Sequence, residues 1–165
     1  MACTRLISGA ALIAISVGLA GCGEEPAGDE AASVAGPEPA VIDERQANFK
    51  SLGKSFKAIR TQLEGGSPDM TVIATAATEM NATALKLESQ FPEGTSVDDG
   101  FDTEALSNIW DDPEKFTEAH KRLADATAEM ITIAEGGDAA AVGDQVGAIG
   151  GSCKNCHDTF RLDTD

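Results

Sequence analysis

Apolar residues recur at spacings of three and four along most of the chain after position 40, which is the period of an amphipathic helix. The pattern predicts four long helices, and glycine or proline marks the end of most of them. The first covers residues 41–64, ends at Gly65-Gly66, and has an apolar stripe that only Arg45 interrupts. The second begins at Ser67-Pro68-Asp69, with Ser67 as the N-cap, and runs to Phe91 before Pro92.

The remaining two helices have boundary signals of the same kind. Asp112-Pro113-Glu114 begins the third helix and Gly136-Gly137 end it, while Asp138 caps a fourth that runs through Phe160. Residues 92–111 form a longer connection, with one short helix expected near 103–109. Because nothing in residues 41–165 has the pattern of a strand, the sequence predicts an all-α fold, an antiparallel four-helix bundle.

The N-terminus has the layout of an export signal. Residues 6–21 are apolar or small and follow Arg5, and this run is short for a membrane span, which needs about 20 apolar residues. It ends in Leu19-Ala20-Gly21-Cys22, which resembles the lipobox of bacterial lipoproteins. That resemblance implies cleavage after residue 21, a lipid on Cys22 and a periplasmic protein anchored to a membrane. An ordinary signal peptide with a stray cysteine is the alternative.

Composition describes the next segment and limits the choice of partners. Residues 22–40 are rich in Ala, Gly, Pro and acid, so we expect a flexible tether between the lipid and the helical domain at 41–165. The chain has a formal net charge of −16. Nucleic acid is therefore excluded as a partner, because phosphate contacts require Lys and Arg. The acidic surface favours solubility, and it would steer basic partners.

The chemistry-bearing motif lies near the C-terminus. Cys153-Lys154-Asn155-Cys156-His157 is the Cys-x-x-Cys-His pattern of covalent haem c attachment. On a helix, residues three and four apart share a face, so both thiols can reach one edge of a porphyrin and His157 can bind its iron. A zinc site would need a fourth ligand, for which only His120 is left, and a redox dithiol usually follows a strand. Chance occurrence is the third alternative.

Glycines are concentrated just before this motif, at positions 143, 147, 150 and 151. Glycine costs about 1 kcal/mol in a helix interior, so something flat or bulky is expected to approach the backbone there. A porphyrin plane has that shape, and close contact with another helix is the alternative.

Three segments together resemble the cytochrome c-prime family over about residues 41–162. They are the ending CKNCHDTFR, the first-helix stretch RQANFK from Arg45, and NIWD at 108–111 followed by Phe116. The resemblance implies that Arg45 and Gln46 lie near the haem edge, with Arg45 offsetting propionate charge, and that Arg161 lies on the proximal side. Glu104 is a weaker candidate for the haem edge. A snorkelling surface side chain is the alternative for Arg45. Many family members are implied to form homodimers.

The same resemblance places Phe49 on the distal face of the iron. Related six-coordinate members have a Met ligand on the first helix, and this first helix contains none. We expect His120, flanked by Lys121 and Arg122, to be a solvated surface residue. The sequence therefore predicts five-coordinate iron, with His157 as its only protein ligand.

Two functions remain open on this evidence. The first is electron transfer with a redox partner protein. The second is binding of nitric oxide or another diatomic gas, as a buffer or sensor. We do not expect an enzyme, because Phe49 cannot transfer protons.

Overall fold

The computed structural model describes residues 39–164, so the predicted signal peptide, Cys22 and nearly all of the tether lie outside the described residues. The all-helical four-helix bundle is confirmed. The helices are α1 (Ala40–Glu64), α2 (Met70–Ala84), α3 (Asn108–Asp111), α4 (Pro113–Gly136) and α5 (Ala139–Phe160), with one 3-10 turn at Leu87–Gln90. Within 39–164, no helix has the length and hydropathy needed to cross a bilayer.

Three aspartates begin three of the long helices. Asp112 and Asp138 cap α4 and α5 as predicted, each with its carboxylate accepting from backbone N–H groups of the first turn. The prediction for α2 is wrong by two residues. Asp69 is the cap, accepting from the N–H groups of Thr71 and Val72, and Ser67 lies outside the helix.

The connection between α2 and α4 also differs from prediction. Helix α2 ends at Ala84, not near Phe91, and the chain continues through the 3-10 turn, which buries Leu87 and Gln90. The short helix predicted at 103–109 lies at 108–111 instead. The reason is that residues 104–106 pair with the chain after α5: the Leu106 N–H donates to the Phe160 carbonyl, and the Leu162 N–H donates to the Glu104 carbonyl.

Buried polar side chains help to fix how the helices pack. Asn81 of α2 donates to the Ala124 carbonyl and the Thr127 hydroxyl of α4, at 2.8 and 3.1 Å. Gln145 of α5 donates to the Ala126 carbonyl of α4 at 2.7 Å. These bonds restrict sliding, because each would leave a buried group unpaired if broken. Helix α1 packs mainly on α2 and contacts α5 at far fewer positions. The α1–α5 side of the bundle is therefore its least filled side.

Candidate functional site

The two cysteines of the motif lie on one side of α5, three residues apart, and both thiols are free. Cys153 packs against the main core, and Cys156 against a second cluster formed around Phe116 and Phe160. Burial raises the pKa of Cys153, and burial followed by the neighbouring Cys153 raises the pKa of Cys156 to about 11. Both are neutral thiols at neutral pH. A reactive redox dithiol needs a lowered thiol pKa, so this alternative has no support here.

His157 follows on the same helix and faces α1. Its ring centroid lies 6.4 Å from that of Phe49, edge to face. Desolvation by its surroundings lowers the pKa of its imidazole and the positive charge of Arg161 lowers it further, while Glu104 and Asp158 oppose the shift only partly. The neutral imidazole, which is the form that binds iron, is therefore favoured. The predicted iron ligand and the predicted distal residue face each other across the α1–α5 side.

A row of aromatic rings extends from Phe49 into the second cluster. Ring centroids are 6.3 Å apart for Phe49 and Phe91, 4.8 Å for Phe91 and Phe116, and 5.2 Å for Phe116 and Phe160. We call these four residues the aromatic wall. Sequence reasoning placed Phe91 at the end of the second helix and used Phe116 and Phe160 in the family resemblance, but it missed the common location of the four rings. The sequence offered one signal for it, which is composition: four of the six Phe residues in the chain belong to this wall.

Arg45 is 2% exposed, so the alternative of a snorkelling surface arginine is wrong. Its guanidinium donates to the Gln90 carbonyl at 3.2 Å and to the Thr95 hydroxyl and carbonyl at 3.1 and 2.9 Å. It also donates to the Thr103 hydroxyl at 2.9 Å, and it lies 4.5 Å above the Phe91 ring. Arg45 thus ties α1 to the connection and to the aromatic wall. Its predicted contact with a haem propionate stays a prediction.

Gln46 and Glu104, predicted at the haem edge, and Arg161, predicted on the proximal side, form contacts within the protein, and their roles toward the haem stay predictions. Gln46 donates to the Asp102 carbonyl at 2.7 Å, which attaches α1 to the connection a second time. Arg161 and Glu104 form an ion pair at 2.6 Å, supported by the backbone pairing of the two segments. Both side chains are about half exposed, so the pair adds little stability, at most about 1 kcal/mol.

The glycines of α5 border open space. A Cβ added at Gly143, Gly147 or Gly151 would meet nothing within 4 Å, and one at Gly150 would only touch the Phe56 ring at 3.8 Å. Close contact with another helix therefore does not explain them. Two neutral thiols, a neutral imidazole, an aromatic wall and a helix face lined by glycine suit covalent haem c chemically.

The expectation for His120 is wrong. The residue is 9% exposed, and its ring packs on Phe116 at 5.6 Å between centroids. Its Nε2 is buried without a hydrogen-bond partner. Desolvation lowers its pKa, and Glu88 opposes that shift only partly. In residues 39–164 no three potential metal-ligating side chains gather, so the zinc alternative gains no support.

A four-helix bundle whose last helix presents Cys-x-x-Cys-His toward the first helix has the features of the four-helix class of c-type haem proteins. The comparisons narrow the class to one family. The family model for cytochrome c' matches residues 40–161, and the chain belongs to the cytochrome c' family, whose members carry haem c.

Individual relatives agree with this assignment. The chain is 34% identical to cytochrome c' of Pararhodospirillum photometricum over 77% of this chain and 99% of that one. It is 37% identical to cytochrome c' of Rhodospirillum rubrum, over 75% and 83%. The solved cytochrome c prime of Shewanella frigidimarina superimposes with a TM-score of 0.69 at 31% identity, over 78% of this chain and all of that one.

Proposed function

We propose that the protein is an exported cytochrome that carries one haem c, joined to Cys153 and Cys156 by thioethers, with His157 as the only protein ligand of the iron. The observation that carries this proposal is the position of His157 beside Phe49, on the same helix as Cys153 and Cys156 and within four residues of both. When bound, the haem would supply reversible one-electron chemistry and one open coordination position. The residues around it would exclude water and orient it.

The attachment is tested by mass spectrometry of the mature protein. We expect the wild type to carry the mass of one haem on the peptide that contains residues 153–157. Cys153→Ala with Cys156→Ala should lose that mass. The chain has only two histidines, so His120→Gln is a matched control for His157→Gln. Only His157→Gln should change the haem absorbance strongly. Haem mass on another peptide would contradict the proposal.

Electron transfer is the role we favour. Lys50, which directly follows Phe49 on α1, is exposed, so a cofactor beside Phe49 would lie close to the protein surface and to a docked partner. We propose no enzymatic role, because Phe49 offers no proton to move. A redox assay with soluble donors tests this: exchange should be rapid and reversible. Slow exchange with every donor would favour the second candidate.

Gas binding is that second candidate, and the apolar aromatic wall favours it. The wall would offer no polar side chain to compete with a small neutral ligand for the open position. Phe49→Ala should speed the binding of carbon monoxide or nitric oxide to the ferrous protein, because it opens the distal side. Leu63→Ala, four turns further along the same helix and packed against the main core, is the matched control and should leave the rate unchanged. Equal rates in Phe49→Ala and wild type would remove Phe49 from the distal side.

We also propose that the protein is periplasmic and lipid-anchored. Cys22→Ala should abolish incorporation of labelled fatty acid, while Cys3→Ala, within the predicted signal, should not. Persistent labelling of Cys22→Ala would refute the anchor.

A homodimer is proposed as well. It draws on a solved cytochrome c' that is 26% identical and is described by its ligand-controlled dimer dissociation. Sedimentation with and without carbon monoxide tests it, and a monomer at every concentration would refute it.

A further inference from the structure

One face of α1 has a charge opposite to that of the chain as a whole. The protein contains 28 acidic and 12 basic residues, yet residues 45–63 contain five cations and no acid. Arg45 is buried, and the other four are exposed. Their positions place them within about 120° around the helix. We call these four residues the α1 basic face: Lys50, Lys54, Lys57 and Arg60.

Acidic neighbours do not neutralise this face. Four of the six cations that the described domain holds outside α1 are paired with carboxylates: Lys121 with Asp125, Arg122 with Glu118, Lys154 with Asp158 and Arg161 with Glu104. Among residues 39–164, no ion pair involves any cation of the α1 basic face. Its positive potential is therefore available to a partner.

The face also begins at the proposed haem site. Lys50 directly follows Phe49, whose ring faces His157, and Lys54 is one turn further along the helix. A shallow groove of about 290 Å³ continues along the face. Gly53 and Phe56 contribute to its lining together with Lys57 and Arg60, and Glu64 is the one carboxylate that lines it. The groove therefore has cations beside an apolar floor. Such a groove is suited to bind a partner surface that combines carboxylates with an apolar side chain.

We propose that the α1 basic face docks a redox partner through an acidic surface of that partner, and so brings the partner against the Phe49 side of the haem. The inference rests on the proposed electron-transfer function and names its partner class. A net charge of −16 repels an acidic protein from most directions. Dissolved salt screens charges that are more than about 8–10 Å apart, so only charges near the contact act strongly on the partner. The α1 basic face therefore determines which side of the protein an acidic partner meets.

A carboxylate-terminated monolayer on gold serves as the probe for an acidic surface. The haem-loaded mature chain is bound to it, with bound mass measured by quartz crystal microbalance and electron exchange by voltammetry. We expect binding at low salt, release at high salt and rapid exchange. An amine-terminated monolayer should bind the protein through its acidic surfaces and exchange electrons more slowly, because the haem side then faces away.

Charge reversal tests the named residues. Lys54→Glu with Lys57→Glu should weaken binding to the carboxylate surface on the order of tenfold, since each exposed charge pair contributes up to about fivefold. Lys54→Gln with Lys57→Gln should show an intermediate loss. Lys86→Glu with Lys115→Glu changes the net charge equally at exposed positions off α1, and should bind as the wild type does. Equal losses in the two charge-reversal variants would overturn the inference.

Other occupants of the face give different results. The variant Lys54→Glu with Lys57→Glu, called the Glu variant below, can lose binding to phosphatidylglycerol vesicles and still bind the carboxylate monolayer. In that case the face contacts a membrane and the inference is overturned. It is also overturned if wild-type binding appears only after deletion of residues 23–38, which would assign the face to the chain's own acidic segment. A protein that exchanges no electrons even with an uncharged soluble mediator refutes the proposed function itself. Normal exchange with that mediator, together with unaltered binding of the Glu variant, refutes only the docking surface.

Discussion

Replacing Arg45 by Met removes the four hydrogen bonds that tie α1 to residues 90–103 while keeping most of the side-chain volume. The buried carbonyls of Gln90 and Thr95 lose a charged donor, and each unsatisfied buried group costs about 1–3 kcal/mol. Relief from burying a charge offsets part of that cost. We expect a net loss of about 3 kcal/mol. In a domain of this size each kcal/mol lowers Tm by about 4 °C, so Tm should fall by about 12 °C.

The assay is urea unfolding followed by circular dichroism at helical wavelengths. It is done on the haem-loaded protein and on the Cys153→Ala, Cys156→Ala form, which cannot attach haem. The loss should be the same in both forms, because the bonds join parts of the polypeptide to each other. Gln46→Ala, one residue further along α1, removes a single exposed hydrogen bond and should cost less than about 1 kcal/mol.

Two results would refute this reasoning. A cost for Arg45→Met below 1 kcal/mol would mean that the buried bonds contribute little. A cost that appears only with haem present would mean that the arginine acts on the cofactor rather than on the connection.

Two further predictions concern Phe116 of the aromatic wall and His120, which packs against it. Phe116→Ala should destabilise the protein by about 3–5 kcal/mol, measured by the same urea titration, because its ring contacts Phe91, Phe160 and His120; a loss below 1 kcal/mol would mean that this cluster is loosely packed. The pKa of His120 is lowered in the fold, so its stabilising contribution is complete above the unfolded value near 6.5 and is lost as the pH falls toward the folded value. Wild-type stability should therefore fall between pH 7 and 5, and His120→Leu should flatten that decline; an unchanged slope would assign it to other groups.

Local signals were sufficient to predict most of the fold. The Asp112-Pro113 and Asp138 caps and the glycine ends of α1 and α4 depend on a few neighbouring residues, so they can be recognised in sequence. The end of α2 was not recognised, because the chain tightens into a 3-10 turn at Leu87–Gln90 without a glycine or proline at Ala84 to mark the change. A distant contact holds that turn: the Gln90 carbonyl accepts from Arg45, 45 positions earlier. The predicted second helix extended to Phe91 because the apolar periodicity of the sequence continues that far.

The site shows the same division between local and distant information. Spacing alone indicates that Cys153, Cys156 and His157 share a face. The expectation that Phe49 lies on the distal face came from family resemblance and stays a prediction; the structure shows the Phe49 and His157 rings 6.4 Å apart between centroids. His120 was misjudged because its charged neighbours suggested solvent, whereas its burial follows from packing against Phe116. The common location of the aromatic wall also depends on tertiary packing, which no local pattern encodes.

The central claim is a covalently held haem with His157 as its only protein ligand. An optical spectrum of the reduced, purified protein, recorded before and after carbon monoxide is added, tests it most directly. We predict the spectrum of a five-coordinate, high-spin c-type haem that changes fully to a low-spin form with carbon monoxide. A reduced spectrum that is already low-spin and does not respond to the gas would show a second protein ligand and contradict the account.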